Sequence, residues 1–475
     1  MANSAPTVRS GRQDIDGLLS GLRWNSLEIS YSFPGEASLY GMNYGFGEPQ
    51  SNYEALNPTQ IAAARSIFAM ISSVTNLRFT EIEETAFAHA DLRFAMSDTP
   101  EPAWAYTIND GAEGGDVWFG NTSGWYDHPI RGNHAFWAFL HEIGHTLGLK
   151  HGHEADGFGS ITAAHDAMEN TVTTYRSYVG SAGNAVENEP WGFAQTLMMY
   201  DIAALQFMYG ANYSTRSGNT TYRWSPTTGE AFIDGEGQGV PGQNRIFMTI
   251  WDGGGVDTYD FSNYATDLRI NLQEGAWSKT SDHQRALLGG FFNFAPGNIA
   301  NALLYEGDVR SLIENATGGR ADDRIIGNPA ANTLLGGKGA DRLNGMEGND
   351  ILSGGLGRDV LRGGEGADVF VFNTKPNSRS DADRITDFDV REDRVFLDNA
   401  GFKALGKGSF TKPHTLKSDF FTIGSNSKDT DDFLIYDPKK GVLFYDADGS
   451  GAGEAVRIAV LSKSLKLSAT DLFVI

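Results

Sequence analysis

The sequence predicts an α+β domain followed by an all-β domain built on stacked parallel strands. Three observations predict it. Up to Asn212 the chain mixes alternating strand patterns with apolar stripes at helical spacing. Past Asn212 the helical patterns stop, and short strands, turns and glycine take over. From Gly318 a nine-residue pattern then repeats in phase. A chain of 475 residues has room for two or three domains with their own cores.

The first half reads in order as follows. Residues 1–13 are polar and read as a loose arm or short propeptide. Ile15, Leu18, Leu19 and Leu22 mark a short helical stretch. Leu27 to Phe33 alternates as a strand. Asn57-Pro58 is a helix start, a cap followed by proline in the first turn, and Ile61, Ala64, Phe68 and Ile71 carry the helix. Leu77 to Ile82, Leu92 to Met96 and Ala103 to Tyr106 read as further strands.

The stretch His141-Glu142-Ile143-Gly144-His145-Thr146-Leu147-Gly148-Leu149-Lys150-His151 carries the chemistry. It reads H-E-x-x-H-x-x-G-x-x-H. On a helix, positions i and i+4 share a face, so His141 and His145 point the same way. Phe136, Leu140, Ile143 and Leu147 form the apolar stripe behind them. Gly148 can take the left-handed conformation that ends a helix, letting the chain turn and bring back His151. Three neutral imidazoles that leave a position for water make a catalytic zinc set. Glu142 is the candidate general base.

In the second half, Gly336 to Asn344 is a clear repeat, with successors at Gly345, Gly354 and Gly363. Gly327 starts a degenerate copy and Gly318 a weaker one. The sixth position reads Asp323, Asn332, Asp341, Asp350, Asp359, Asp368. The eighth is always apolar: Ile325, Leu334, Leu343, Leu352, Leu361, Phe370. Glycines permit tight turns with carbonyls facing inward, and aspartates add charge. Such dense oxygen ligands select calcium. Its candidate binders here are Gly319, Asp323, Gly336, Gly337, Gly339, Asp341, Gly345, Gly348, Asp350, Gly354, Gly355, Gly357, Asp359, Gly363, Gly364, Gly366 and Asp368. From Asp387 the pattern turns antiparallel, with a hairpin around Asp437-Pro438-Lys439-Lys440-Gly441. Asp471 to Ile475 reads as a final edge strand.

Composition sets bounds. A net charge of -23, from 60 acidic and 37 basic residues, argues against nucleic acid and anionic membranes and suits cation binding. With no cysteine there is no disulfide, so metal ions are the candidate staples. No apolar run reaches the length of a membrane helix, so stable membrane insertion is not expected. The N-terminus lacks an apolar signal core, so any export is expected to use another signal.

The zinc stretch resembles the metzincin metallopeptidases, and Asp201 to Asn212 resembles the helix that closes the catalytic domain of the serralysin type. The repeats resemble those of RTX proteins. The resemblance implies a metzincin catalytic domain over 14–215 and a calcium-binding RTX β-roll domain over 216–475. The implied protein is a secreted zinc endopeptidase with one catalytic zinc and several structural calcium ions. It further implies calcium ligands at Asp252, Gly254, Asp257 and Glu314, with carbonyls of Arg223 to Thr227 as a further source. Ala103, Trp104, Ala105 and Tyr106 would bind substrate as an edge strand. Tyr175 would ligate zinc at rest and hold the reacting carbonyl during catalysis. The acidic-then-apolar terminus resembles the uncleaved C-terminal signal of type I secretion.

The family's Met-turn, S-x-M-x-Y, falls on Thr171-Val172-Thr173-Thr174-Tyr175, with Thr173 in the methionine place. Thr196-Leu197-Met198-Met199-Tyr200 also fits the pattern but runs straight into the closing helix. Expected partners are protein or peptide substrates, a type I secretion apparatus and a proteinaceous inhibitor, with the chain a monomer. The alternatives are a calcium-binding adhesin with a weakened metzincin domain, and a metzincin with a narrow substrate and a regulatory role.

Overall fold

A computed structural model describes residues 3–41, 43–183, 185–377 and 381–475. In the first half, β1 (Ser4–Pro6), α1 (Gln13–Asp16) and β2 (Leu22–Trp24) precede β3 (Glu28–Ser32), β4 (Glu54–Ala55) and α2 (Pro58–Val74). Then come β5 (Arg78–Glu81), β6 (Leu92–Ser97), β7 (Ala103–Ala105), β8 (Val117–Gly120), α3 (His134–Thr146) and α4 (Met199–Tyr209). Asn57 caps α2: its side chain accepts from the Thr59 and Gln60 amides, and the Gln60 side chain returns to the Asn57 amide.

The strands lie in the order β5-β3-β6-β8-β7, with β4 paired to β6. All neighbours on that path are parallel except β7, which runs antiparallel to β8 at the sheet edge. Helices α2 and α3 cover the sheet, and α3 is buried along its length.

The N-terminal arm is not loose. Ser4–Pro6 pairs with Leu22–Trp24, and the Thr7 amide donates to the Gly21 carbonyl. The helical stretch expected around Leu18 shortens to one turn. Leu19 instead bridges Leu149, and Lys150 donates to the Leu18 carbonyl, so the N-terminal segment braces the turn that carries His151. Met1 and Ala2, also part of that expected arm, lie outside the described residues.

In the second half, strands alternate between two sheets, as the odd and even repeats do. Thr333 pairs with Ile351 and Ile351 with Val369 in one sheet; Arg324 pairs with Arg342 and Arg342 with Val360 in the other. Each parallel pair is two repeats apart in sequence, so successive repeats fall on opposite sheets. Their eighth-position residues fill the space between, each at most 2% exposed. Buried apolar side chains on this scale are the main source of stability.

Two expectations change. After Asp387 the hairpin forms as read, with Leu434–Asp437 antiparallel to Val442–Tyr445. Arg394–Leu397 and Leu472–Val474, however, continue the parallel stack, because the apolar interior extends to them. The terminal strand is also not an edge, since Thr415 pairs with Phe473 on its far side. Packing crosses the expected division near 215: Phe247, Trp251, Leu288 and Ala300 join the core built around α3.

Candidate metal and catalytic site

Helix α3 starts at Asn133, whose side chain accepts from the Phe136 amide, and ends before Gly148. Gly148 has φ +97, and a Cβ there would lie 2.5 Å from the Leu22 carbonyl oxygen, so glycine is required. The chain reverses and returns His151 to the helix face. The Nε2 atoms of His141 and His145 each lie 3.1 Å from that of His151. Four ligands about 2.0–2.1 Å from zinc stand about 3.3 Å from one another, so this cluster has the size of a zinc site.

The other ring nitrogens are committed. His141 Nδ1 faces the Val172 carbonyl at 2.8 Å, His145 Nδ1 the Leu149 carbonyl at 2.9 Å, and His151 Nδ1 the Glu154 carboxylate at 2.7 Å. These contacts place a proton on each Nδ1 and leave each Nε2 lone pair for a cation. Burial, then mutual repulsion, drives His141 far below the ordinary histidine range and His145 down to about 4, so both are neutral near pH 7. Neutral imidazole is the form that ligates metal.

Glu142 is buried beside them, and burial pushes its carboxyl up to about 8 against a hydrogen bond from the Ala105 backbone. That contact ties the edge strand to the candidate base. Ala103 lines the pocket next to Glu142. Trp104 and Tyr106 face the other way: the Trp104 indole donates to buried Glu48 at 3.1 Å, and the Tyr106 hydroxyl donates to the same carboxylate. Their side chains are therefore unavailable to a ligand in the cleft, which leaves the main chain of this edge strand as the part that could pair with one.

Residues Thr171 to Tyr175 pass beneath α3. A Cβ on Gly144 would lie 3.3 Å from Thr173 Cγ2, and the Gly152 amide donates to the Thr173 carbonyl. The Tyr175 ring is 39% exposed, with its centroid 4.5 Å from that of His151 and 5.8 Å from that of His141. Asp166 secures its loop, accepting from Thr174 at 2.8 Å and from Arg176 at 2.9 Å. A pocket of about 910 Å³ opens beside Glu142, walled largely by Trp125, Tyr126, Trp137, Val186, Trp191 and Phe193.

The second set of carboxylates lies in the stacked strands. Oδ1 of Asp341 accepts the Asp323 amide at 2.7 Å, Oδ1 of Asp350 the Asn332 amide at 2.7 Å, and Oδ1 of Asp359 the Asp341 amide at 2.8 Å. Their Oδ2 atoms are buried without a hydrogen-bond partner. Burial pushes Asp341 and Asp350 up to about 7, against those backbone bonds. Buried carboxylate oxygens left unpaired in three successive repeats are what a hard cation would satisfy. Glycines line the same turns: a Cβ on Gly336 would lie 2.4 Å from Asp341 Oδ2, and one on Gly345 or Gly363 would strike the Oδ2 of Asp350 or Asp368. Asp323 differs, with its two oxygens accepting the Leu268 and Gly319 amides.

Asp252, Asp257 and Glu314 also come together. The Asp257 amide donates to Glu314 at 2.7 Å, Asp252 and Asp257 share a side-chain contact, and Asp257 Oδ2 is buried and unpartnered. The Gly254 amide donates to Asp252. The Trp224 and Ser225 carbonyls accept from the Asn263 and Gln284 side chains.

Two comparisons bear on the family. The family model described as Matrixin matches residues 44–164, and that described as Peptidase M10 serralysin C terminal matches 211–435. Metallopeptidase AprA of Pseudomonas marginalis is 32% identical over 317 residues, covering 64% of this chain and 61% of its own length. Serralysin of Proteus mirabilis is 31% identical over 331 residues, covering 64% and 60%. Both parts of the chain are thus similar to the serralysin-type metzincins. The chain spans about three fifths of the length of the curated relatives it matches.

Sequence reasoning missed Glu154, which holds His151, and two further ladder residues. Asp383 and Asp393 accept the Asp359 and Asp368 amides at 3.1 and 3.0 Å, as the repeat aspartates do. The period of nine hides them, because longer turns separate them from the repeats. Glu154 carried a weak signal, an acidic residue three positions after a ligand histidine.

Proposed function

We propose that this chain is a zinc-dependent endopeptidase, secreted and held together by calcium. One observation carries the reading: three neutral imidazoles converge through Nε2 beside a buried glutamate that touches an exposed sheet edge. His141, His145 and His151 are the residues that would hold zinc, and the metal would supply Lewis acidity toward water and the scissile carbonyl. An extended substrate adds to the free edge of β7 by strand pairing, through main chain rather than through Trp104 and Tyr106. Burial alone favours the neutral acid at Glu142, and the positive charge of a bound metal would hold it ionised, so that it can take a proton from the attacking water and pass it to the leaving amine. The Tyr175 hydroxyl, on its half-exposed ring, donates to the oxygen on which charge develops. The aromatic pocket takes a large apolar side chain of the substrate.

The same reading assigns 14–215 as the catalytic domain and 216–475 as an RTX β-roll domain whose aspartates and turn carbonyls bind several calcium ions. The unpartnered Oδ2 atoms support that assignment. Folding of the roll then awaits calcium outside the cell, and the C-terminal strand serves as a type I secretion signal before it is buried. No helix among the described residues is long and apolar enough to cross a membrane. Expected partners are protein substrates, a type I secretion apparatus and a proteinaceous inhibitor. The test is hydrolysis of unfolded protein by metal-loaded enzyme, abolished by chelation of zinc. A zinc-replete chain that cleaves no peptide bond would refute the reading.

A further inference from the structure

Away from the cleft, helix α2, the segment entering α4 and the first strands of the C-terminal half enclose a pocket of about 220 Å³. Its walls are largely apolar, including Ala69, Met70, Leu197, Ile233 and Met248. Two arginines line it and no carboxylate does.

The two arginines differ. Arg216 donates to the Trp251 carbonyl at 3.2 Å, lies over the Tyr222 ring and sits in the field of Asp252. Arg131 donates only to the Gln238 carbonyl, at 2.6 Å, and has no ion-pair partner among the described residues. Burial alone draws its pKa down, with no neighbouring charge opposing it. A guanidinium offers five donors and stays charged at any ordinary pH. Leaving such a cation partly desolvated and without a counter-charge is costly. The arrangement is notable in a chain with 60 acidic residues, where a carboxylate partner would be easy to supply.

We propose that this pocket binds a medium-chain fatty carboxylate, with its head group on Arg131 and its tail along the apolar walls. A carboxylate matches the guanidinium fork through two parallel hydrogen bonds. The small apolar pocket suits a short acyl tail and not a long-chain lipid, so octanoate is the probe. Acetate would leave the walls unused, and an alcohol of equal length would leave Arg131 unpaired.

The test is titration calorimetry of octanoate, 1-octanol and acetate into the full chain loaded with zinc and calcium. Octanoate should saturate one site, 1-octanol should bind at least about tenfold more weakly, the loss of one charge-assisted pair, and acetate should give no heat of binding. Arg131→Gln should weaken octanoate by a similar factor, and Arg131→Lys should keep part of the affinity. Ala69→Trp, on the exposed rim of α2, should fill the pocket and abolish binding while leaving the circular dichroism unchanged. It keeps the test decisive if Arg131→Gln does not fold. Equal binding of octanoate and 1-octanol, unaltered binding by Ala69→Trp, or no saturation in folded wild type would overturn the proposal.

Discussion

The hydroxyls of Thr173 and Thr171 lie 3.0 Å apart, and Thr171 in turn donates to the buried Asp201 carboxylate at 2.6 Å. Since Thr171 spends its proton on Asp201, Thr173 is the donor to Thr171. Asp201 also accepts the Val172 and Met198 amides at 2.8 and 2.9 Å. The Val172 carbonyl faces His141. The residue in the methionine place is thus wired through Asp201 to the turn that orients a candidate zinc ligand. The hydroxyl that replaces a thioether is satisfied, so the substitution leaves no buried orphan.

Thr173→Val keeps the shape and removes the donor. It should lower stability by about 1 kcal/mol, the ordinary net worth of such a bond, with zinc retained. Thr173→Met should cost more, about 1–3 kcal/mol, because Thr173 is fully buried and lies under Gly144, where even an added Cβ would come within 3.3 Å of Thr173 Cγ2. Denaturant melts of the metal-loaded protein, with zinc measured alongside, check both. Loss of zinc in Thr173→Val would show that the hydroxyl chain matters to the metal and not only to packing.

Asp201 gives a pH dependence. Burial raises its carboxyl from 3.8 to about 6, against its hydrogen bonds. A raised acid favours the fold fully below the unfolded value and loses that contribution as pH rises through the folded value. Relative to Asp201→Asn, wild type should therefore lose about 3 kcal/mol between pH 4 and pH 6. Stability measured for both proteins across that window tests the sign. A difference that stays flat would contradict it.

Tyr175→Phe removes only a hydroxyl from a half-exposed ring. It should lower kcat by about 10²-fold with little change in KM or in bound zinc, the pattern of a group acting on the transition state. Equal losses in KM and kcat/KM at constant kcat would instead make Tyr175 a substrate-binding residue.

Removing calcium should unfold the stacked strands, because the unpartnered Oδ2 atoms of Asp341, Asp350 and Asp359 would stay buried without a partner, with Asp341 facing the charge of Asp359 and Asp350 that of Asp368. Far-ultraviolet circular dichroism and limited proteolysis in chelator read this directly. Gly337→Ala should mimic part of the effect even in calcium, by about 2 kcal/mol or more: Gly337 has φ +101, and a Cβ there would lie 2.4 Å from the Gly319 carbonyl oxygen.

Much of the site was legible because its spacing is set by helix geometry. His141, Glu142 and His145 follow from the 3.6-residue turn, and Gly148 announces the reversal that returns His151. The repeats were legible because period and stacking coincide. What escaped depends on contacts distant in sequence. Leu19 bridges Leu149, and Glu48 captures Trp104 and Tyr106, and neither pairing leaves a local pattern. Asp383 and Asp393 continue the ladder in space after the period has broken in sequence. Leu288 and Ala300 pack into the α3 core although their segment reads like the all-β half.

The most direct test compares casein hydrolysis by wild type and by Glu142→Ala, both loaded with zinc and calcium and both shown to hold equal zinc. Wild type should cleave and the variant should lose at least about 10²-fold, the share of a positioned proton-transfer group. Equal activity in the two proteins, or none in a zinc-replete wild type, would contradict the account.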